Sequence, residues 1–237
     1  MKTLYYSAFM LLLTLTANAQ DSDYKKYFLT EQECPKGIHF IPAPPAFNSV
    51  EFANDIYFYN WGKQQRETPR GQQAATDEVE RLEKVYSEVI GFTISKEETP
   101  DIFWLAQMAV NDGTRANRNV KNHYKRTRPF AYFNEPSLVS QDDDKERSTF
   151  SYPSGHTIRG WMYALTLACV VPDSTDVLIN RAREYGLSRV ICGRHYKSDV
   201  DASLILASAV FSRLNSCEAF QEQLKKARKE YAKLRKK

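Results

Sequence analysis

Three short blocks of this chain hold the residue types that grip and move a phosphoryl group. In the first, Lys121 is followed after six residues by Arg128-Pro129. The second is Pro153-Ser154-Gly155-His156, and the third is Ser188-Arg189, five residues, His195, three residues, Asp199. A phosphate monoester carries up to two negative charges near neutral pH, and its oxygens call for cationic or multi-donor partners. Arg128 and Arg189 can each hold two oxygens with a planar fork, while Lys121 offers a compact charge. His195 and Asp199 are four residues apart, so on a helix they share one face. A helical Asp199 leans back toward His195 and would hold one ring nitrogen protonated, leaving the other free to attack. The same carboxylate would stabilise a cationic ring, as the acid of a Ser-His-Asp triad does.

These residues need elements to carry them, and the apolar spacing is helical almost throughout. Ile158, Trp161, Met162, Leu165 and Leu167 follow the second block, which places Ser154 and Gly155 at a helix N-terminus. Unpaired N–H groups and a positive dipole end suit phosphate there, and glycine lets the backbone come close. Val79, Leu82, Tyr86, Val89 and Ile90 predict one amphipathic helix that starts at Thr76-Asp77-Glu78 and stops at Gly91. Another helix begins at Thr99-Pro100-Asp101, with Thr99 placed to cap it. Phe220, Leu224, Ala227, Tyr231 and Leu234 mark a last helix whose other face is basic. Between Asn134 and Pro153 the periodicity stops, and Gln141-Asp142-Asp143-Asp144-Lys145 reads as a solvated loop. No strand run, repeat or composition break appears, so a single all-α domain is expected.

The three blocks together resemble the signature of the phosphatidic acid phosphatase type 2 superfamily, which includes the vanadium haloperoxidases. Ile41-Pro42-Ala43-Pro44-Pro45, Arg66-Glu67-Thr68-Pro69-Arg70-Gly71, the run Ser151 to Thr157 and the run Ser188 to Ala202 narrow the likeness to the bacterial class A non-specific acid phosphatases. The resemblance implies a helical bundle of the acid phosphatase and haloperoxidase type. It also implies hydrolysis of a broad range of phosphate monoesters through a phosphohistidine, with no metal or other cofactor, by a homo-oligomer. In that scheme His195 is the nucleophile and Asp199 orients it. His156 protonates the leaving alkoxide and then activates water, while Lys121, Arg128, Arg189, Ser154 and Gly155 hold the phosphate oxygens. Ser188 would add a hydroxyl hydrogen bond. Tyr124, Phe130, Tyr132 and Tyr152 flank signature residues and can serve either as an apolar rim or as core; His39 and His123 match no signature position. Phosphoryl transfer to an alcohol uses the same intermediate and is left open, and haloperoxidase activity fits the class A context less well.

Composition sets the remaining bounds. With 237 residues, 42% hydrophobic and 13% aromatic, the chain can bury a core and is neither disordered nor low-complexity. The formal charge is +4, yet residues 224–237 alone contribute +7, and residues 20–223 sum to −4. That concentrated charge admits a binding role toward nucleic acid or anionic membrane, but a packed helix with a solvated basic face explains it without such a partner. Lys2, the apolar stretch Ala8 to Leu15 and Ala17-Asn18-Ala19 read as a secretory signal over residues 1–19, cleaved before Gln20. The mature chain, residues 20–237, is then expected in the periplasm or secreted, without stable membrane insertion; a membrane lipid phosphatase is disfavoured. Export would let Cys34, Cys169, Cys192 and Cys217 pair in any of three ways, although Cys169 and Cys192 read equally well as buried small hydrophobes.

Overall fold

The computed structural model describes residues 26–236 apart from Glu80. The expected signal segment therefore lies outside the described residues. Among those described, every regular element is helical. In chain order the α-helices are α1 (Val50–Gln65), α2 (Pro69–Val79), α3 (Leu82–Ile90), α4 (Pro100–Tyr124) and a one-turn α5 (Pro129–Tyr132). There follow α6 (Asp143–Arg147), α7 (Gly155–Ala168), α8 (Thr175–Ile191), α9 (Lys197–Asn215) and α10 (Glu218–Leu234). No helix among the described residues is long and apolar enough to cross a membrane.

The core lies where α4, α7, α8 and α9 meet, with α10 laid along α4 and α2 against α8. Ile102 and Leu105 of α4, Ile158 and Met162 of α7, Leu178 of α8 and Leu206 of α9 are fully buried there. Each such side chain contributes about 1.5–3 kcal/mol by leaving water. Gly160 lets α7 close on α8, because a Cβ there would stand 2.6 Å from the Tyr185 ring. These contacts fix the N-terminus of α7 beside the C-terminal ends of α4 and α8, where the three sequence blocks converge.

Several sequence expectations need correction. The helix expected to begin at Thr76 does not form as one element: Thr76, Asp77 and Glu78 lie in the last turns of α2, which ends at Val79, and α3 begins at Leu82. Long-range ion pairs hold that end: Asp77 takes Arg181, and Glu78 takes Arg189. Arg81 then has extended backbone, φ −77° and ψ 142°, before α3 runs to its stop at Gly91, φ 77°. Thr99 precedes α4 as expected, but its hydroxyl donates to Thr93 O rather than capping. The Glu230 carboxylate of α10 accepts from the N–H groups of Asp101 and Ile102 instead. Asp143, expected in a solvated loop, is buried and accepts from Ser137 N and Oγ. All four cysteines are free thiols. Cys169 and Cys192 stand at the C-terminal caps of α7 and α8.

Candidate active site

Ser154 caps α7: its Oγ accepts from Thr157 N at 3.3 Å, a local bond that follows from a Ser in extended backbone before a helix. Gly155 opens the helix against α4, where a Cβ would meet Asn117 Nδ2 at 3.1 Å and Lys121 Cε at 4.0 Å. Lys121 stands in the last turn of α4, with Nζ donating to Phe150 O at 2.5 Å. Arg128 cannot continue that helix, because Pro129 forces it into extended backbone, φ −69° and ψ 149°. From there its guanidinium spreads across the site, from Nε to Thr149 Oγ1 at 2.9 Å and from Nη1 to Arg194 O at 3.1 Å. Nη1 also reaches His195 Nε2 at 3.1 Å, and Nη2 pairs with Glu146 at 2.7 Å.

His195 does not share a helix with Asp199 as expected. It lies in the turn before α9, and Asp199 is the third residue of that helix. The contact forms nevertheless, because Asp199 Oδ2 reaches back to accept from Tyr196 N at 2.9 Å and so lies 3.3 Å from His195 Nδ1. These neighbours fix the tautomer. Arg128 can only donate, so Nε2 must present its lone pair to it, and the ring proton sits on Nδ1 facing Asp199. The same logic applied to His156 gives the opposite result: Arg159 Nη2 lies 3.1 Å from Nδ1, so neutral His156 carries its proton on Nε2.

Burial and a crowd of cations set the charge states. Burial, then Arg128, Lys121 and Arg189, hold His195 well below the usual imidazole range. Burial and Arg159 do the same to His156. Lys121 is pushed down to about 7, by burial first and by Arg128 next. Burial raises the Asp199 carboxyl, and Arg126 opposes that rise.

The structure thus brings together Lys121, Arg128, Ser154, Gly155, His156, His195 and Asp199. Arg189 is 1% exposed and ion-paired to Glu78, and burial lowers its pKa to about 10. Ser188 turns away from the group: it donates to Asp77 and accepts from Arg70. Phe130 and Tyr152 are core residues, whereas Tyr132 is an exposed aromatic stacked on Phe47. His39 and His123 are exposed. Sequence reasoning missed Arg194, which is 1% exposed, donates to Val139 O and pairs with Asp143 at 2.9 Å. It also missed Glu78 and Glu146, which cover two of the arginines, and Arg126 with Asp55 behind Asp199. The only local hint of Arg126 was its place inside the first block. Among the described residues no group of three or more His, Cys, Asp or Glu side chains is placed to hold a metal ion.

Comparison with known proteins places the chain in one family. The profile of the PAP2 superfamily matches residues 103–221, which contain all three blocks. A non-specific acid phosphatase of Providencia stuartii is 40% identical over 89% of this chain and 86% of its own length. Non-specific acid phosphatases of Salmonella typhimurium and Salmonella typhi are 34% and 36% identical, over 97% and 86% of this chain and 93% and 83% of their own lengths. The chain belongs to the PAP2 superfamily and groups there with the bacterial non-specific acid phosphatases.

Proposed function

We propose that this acid phosphatase hydrolyses a broad range of phosphate monoesters through a phosphohistidine on His195, in the periplasm or outside the cell, as a homo-oligomer. The observation that carries the reading is the setting of the His195 ring, with Nε2 3.1 Å from Arg128 Nη1 and Nδ1 3.3 Å from Asp199 Oδ2. Its Nε2 lone pair points into the cationic group while Asp199 secures Nδ1. Entering phosphate would draw Arg128 and Arg189 off Glu146 and Glu78 onto its own oxygens and free the lone pair. Nε2 then attacks phosphorus, the bond to the leaving oxygen breaks, and His156, having taken a second proton on Nδ1 when the bound dianion draws Arg159 away, delivers its Nε2 proton to that oxygen and is left neutral. Water, deprotonated by His156, next attacks the phosphohistidine and releases inorganic phosphate and neutral His195. Lys121, Arg128, Arg189 and the N–H groups at the start of α7 meet the charge on the equatorial oxygens in the transition state. His195 depressed below the usual imidazole range stays a free base, hence a nucleophile, well into acid.

Rapid-quench labelling with a phosphate ester tests the intermediate. The expected product is an acid-labile, alkali-stable phosphoprotein mapped to His195; label on any other residue refutes the assignment. Lys121 supplies a second check. With its pKa near 7 it loses its charge as pH rises, so the free enzyme's cradle weakens on the alkaline side. A plot of kcat/KM against pH should bend down near 7, toward about tenfold per unit. Arg at this position, in Lys121→Arg, should push that bend upward. An unchanged bend in the variant would mean that another group titrates there.

A further inference from the structure

Behind Asp199 lies a closed set of buried polar groups that the reaction scheme leaves without a role. Arg126 Nη1 donates to Asp199 Oδ1 and to Ser198 Oγ, each at 2.7 Å. Its Nη2 pairs with Asp55 Oδ2 at 2.7 Å, and its guanidinium lies 3.9 Å over the Tyr196 ring. Asp55 comes from α1, more than 70 residues away, and is wholly buried. Its Oδ1 accepts from Ser198 N at 2.8 Å, and Oδ2 also takes the Ser198 hydroxyl at 2.5 Å. Asp55 therefore binds the first turn of α9, while Asp199 within the same turn binds Tyr196 N.

We propose that Arg126, anchored by Asp55, is a positioning residue for the reaction at His195: it holds the Asp199 carboxylate in the place and charge state from which it fixes His195 Nδ1. The proposal rests on His195 being the nucleophile. Two carboxylates with no exposure share one guanidinium, and an isolated buried carboxylate would rather take up a proton than remain charged. A protonated Asp199 no longer demands a proton on Nδ1. Once entering phosphate draws Arg128 off Nε2, the ring can then shift its proton to that nitrogen, the atom that must attack. Only a planar fork reaches Asp199 and Asp55 at once, so a lysine cannot replace it in full. The other groups facing Asp199 are Lys121 and Arg128, the His195 ring and the hydroxyls of Tyr152 and Tyr196. Of these cations, Lys121 and Arg128 are the ones that face entering phosphate, which leaves Arg126 as the cation dedicated to Asp199.

The test compares full-length Arg126→Met, Arg126→Lys and Asp55→Asn with the parent and with His195→Ala. Loss of such an outer partner typically costs about 10–100-fold, and here that loss should fall on kcat, with KM within about threefold. The acidic limb of the kcat profile should move to higher pH, because Asp199 without Arg126 takes its proton more readily. Arg126→Lys should recover part of kcat, and Asp55→Asn should show a smaller shift in the same direction. Nitrogen NMR of histidine-labelled protein with inorganic phosphate bound, so that Arg128 no longer holds Nε2, should show Nδ1-protonated His195 in the parent and a mixture of tautomers in Arg126→Met. An unchanged kcat profile and tautomer in a folded variant overturns the proposal, as does a change confined to KM. If Arg126→Met fails to fold, Arg126→Lys and Asp55→Asn decide by the same two readouts. Full activity in His195→Ala would instead overturn the nucleophile reading, which keeps the two failures distinct.

Discussion

His195→Ala should lower kcat for every phosphate ester by at least about four orders of magnitude, close to 5.4 kcal/mol of lost transition-state stabilisation. On the proposed path the residue supplies the atom that bonds to phosphorus, so no remaining group can make up the loss by a small movement. The same substitution should leave phosphate binding largely in place. Lys121, Arg128 and the α7 N-terminus do not depend on the ring, and removing it relieves Arg128 of its contact with Nε2. Competitive inhibition by phosphate or vanadate, measured as protection against thermal unfolding, should therefore persist in the inactive variant. Residual activity within tenfold of the parent would rule out the covalent path. Loss of anion protection together with activity would instead make His195 part of the binding surface.

What the sequence displayed of this arrangement depended on how local each cause was. Ser154 was legible as a cap because the bond closes within four residues, and the apolar spacing of α7 marked where it must sit. The last helix was legible too, since Phe220, Leu224 and Ala227 all face the core. The break between α2 and α3 was not. It follows from Asp77 and Glu78 pairing with Arg181 and Arg189, partners about 100 residues distant that no local period announces. The His195 and Asp199 contact was anticipated for a reason that fails, a shared helical face. The actual cause is a carboxylate turned back on the start of its own helix, which a spacing of four satisfies equally well. Asp143 illustrates the same limit: a run of acidic residues looks solvated until a buried arginine, Arg194, gives one of them a partner.

Those carboxylates also explain how a body of net negative charge can hold the cluster of arginines proposed to bind phosphate. Arg128, Arg189, Arg194 and Arg126 are nearly buried, and each has an acidic partner: Glu146, Glu78, Asp143, and Asp55 with Asp199. Burying the cations without them would cost several kcal/mol apiece. Two of the partners, Asp55 and Asp199, are inaccessible and permanent. Glu78 and Glu146 are partly exposed, and on the proposed reading they are the ones an entering anion displaces. Net charge thus says little about affinity here, and exchange of one anion for another on the same arginines says more.

His156→Ala should separate the two chemical steps. In the first step a poor leaving group, such as an alkyl alkoxide, needs a proton, so alkyl phosphates should lose about 10²–10⁴-fold in kcat/KM. A nitrophenolate leaves without that proton, and its departure from the variant should stay within about tenfold of the parent. The second step always needs a base to take a proton from water, whatever left before. With p-nitrophenyl phosphate the variant should therefore release one equivalent of nitrophenolate per active site in a burst and then turn over slowly, with phosphohistidine accumulating. The neutral, Nε2-protonated state of His156 beside Arg159 fits such a dual role, because the negative charge of bound substrate raises the ring's affinity for a second proton once Arg159 yields Nδ1. Equal losses for alkyl and nitrophenyl esters, with no burst, would confine His156 to holding phosphate and would leave the proton to another donor.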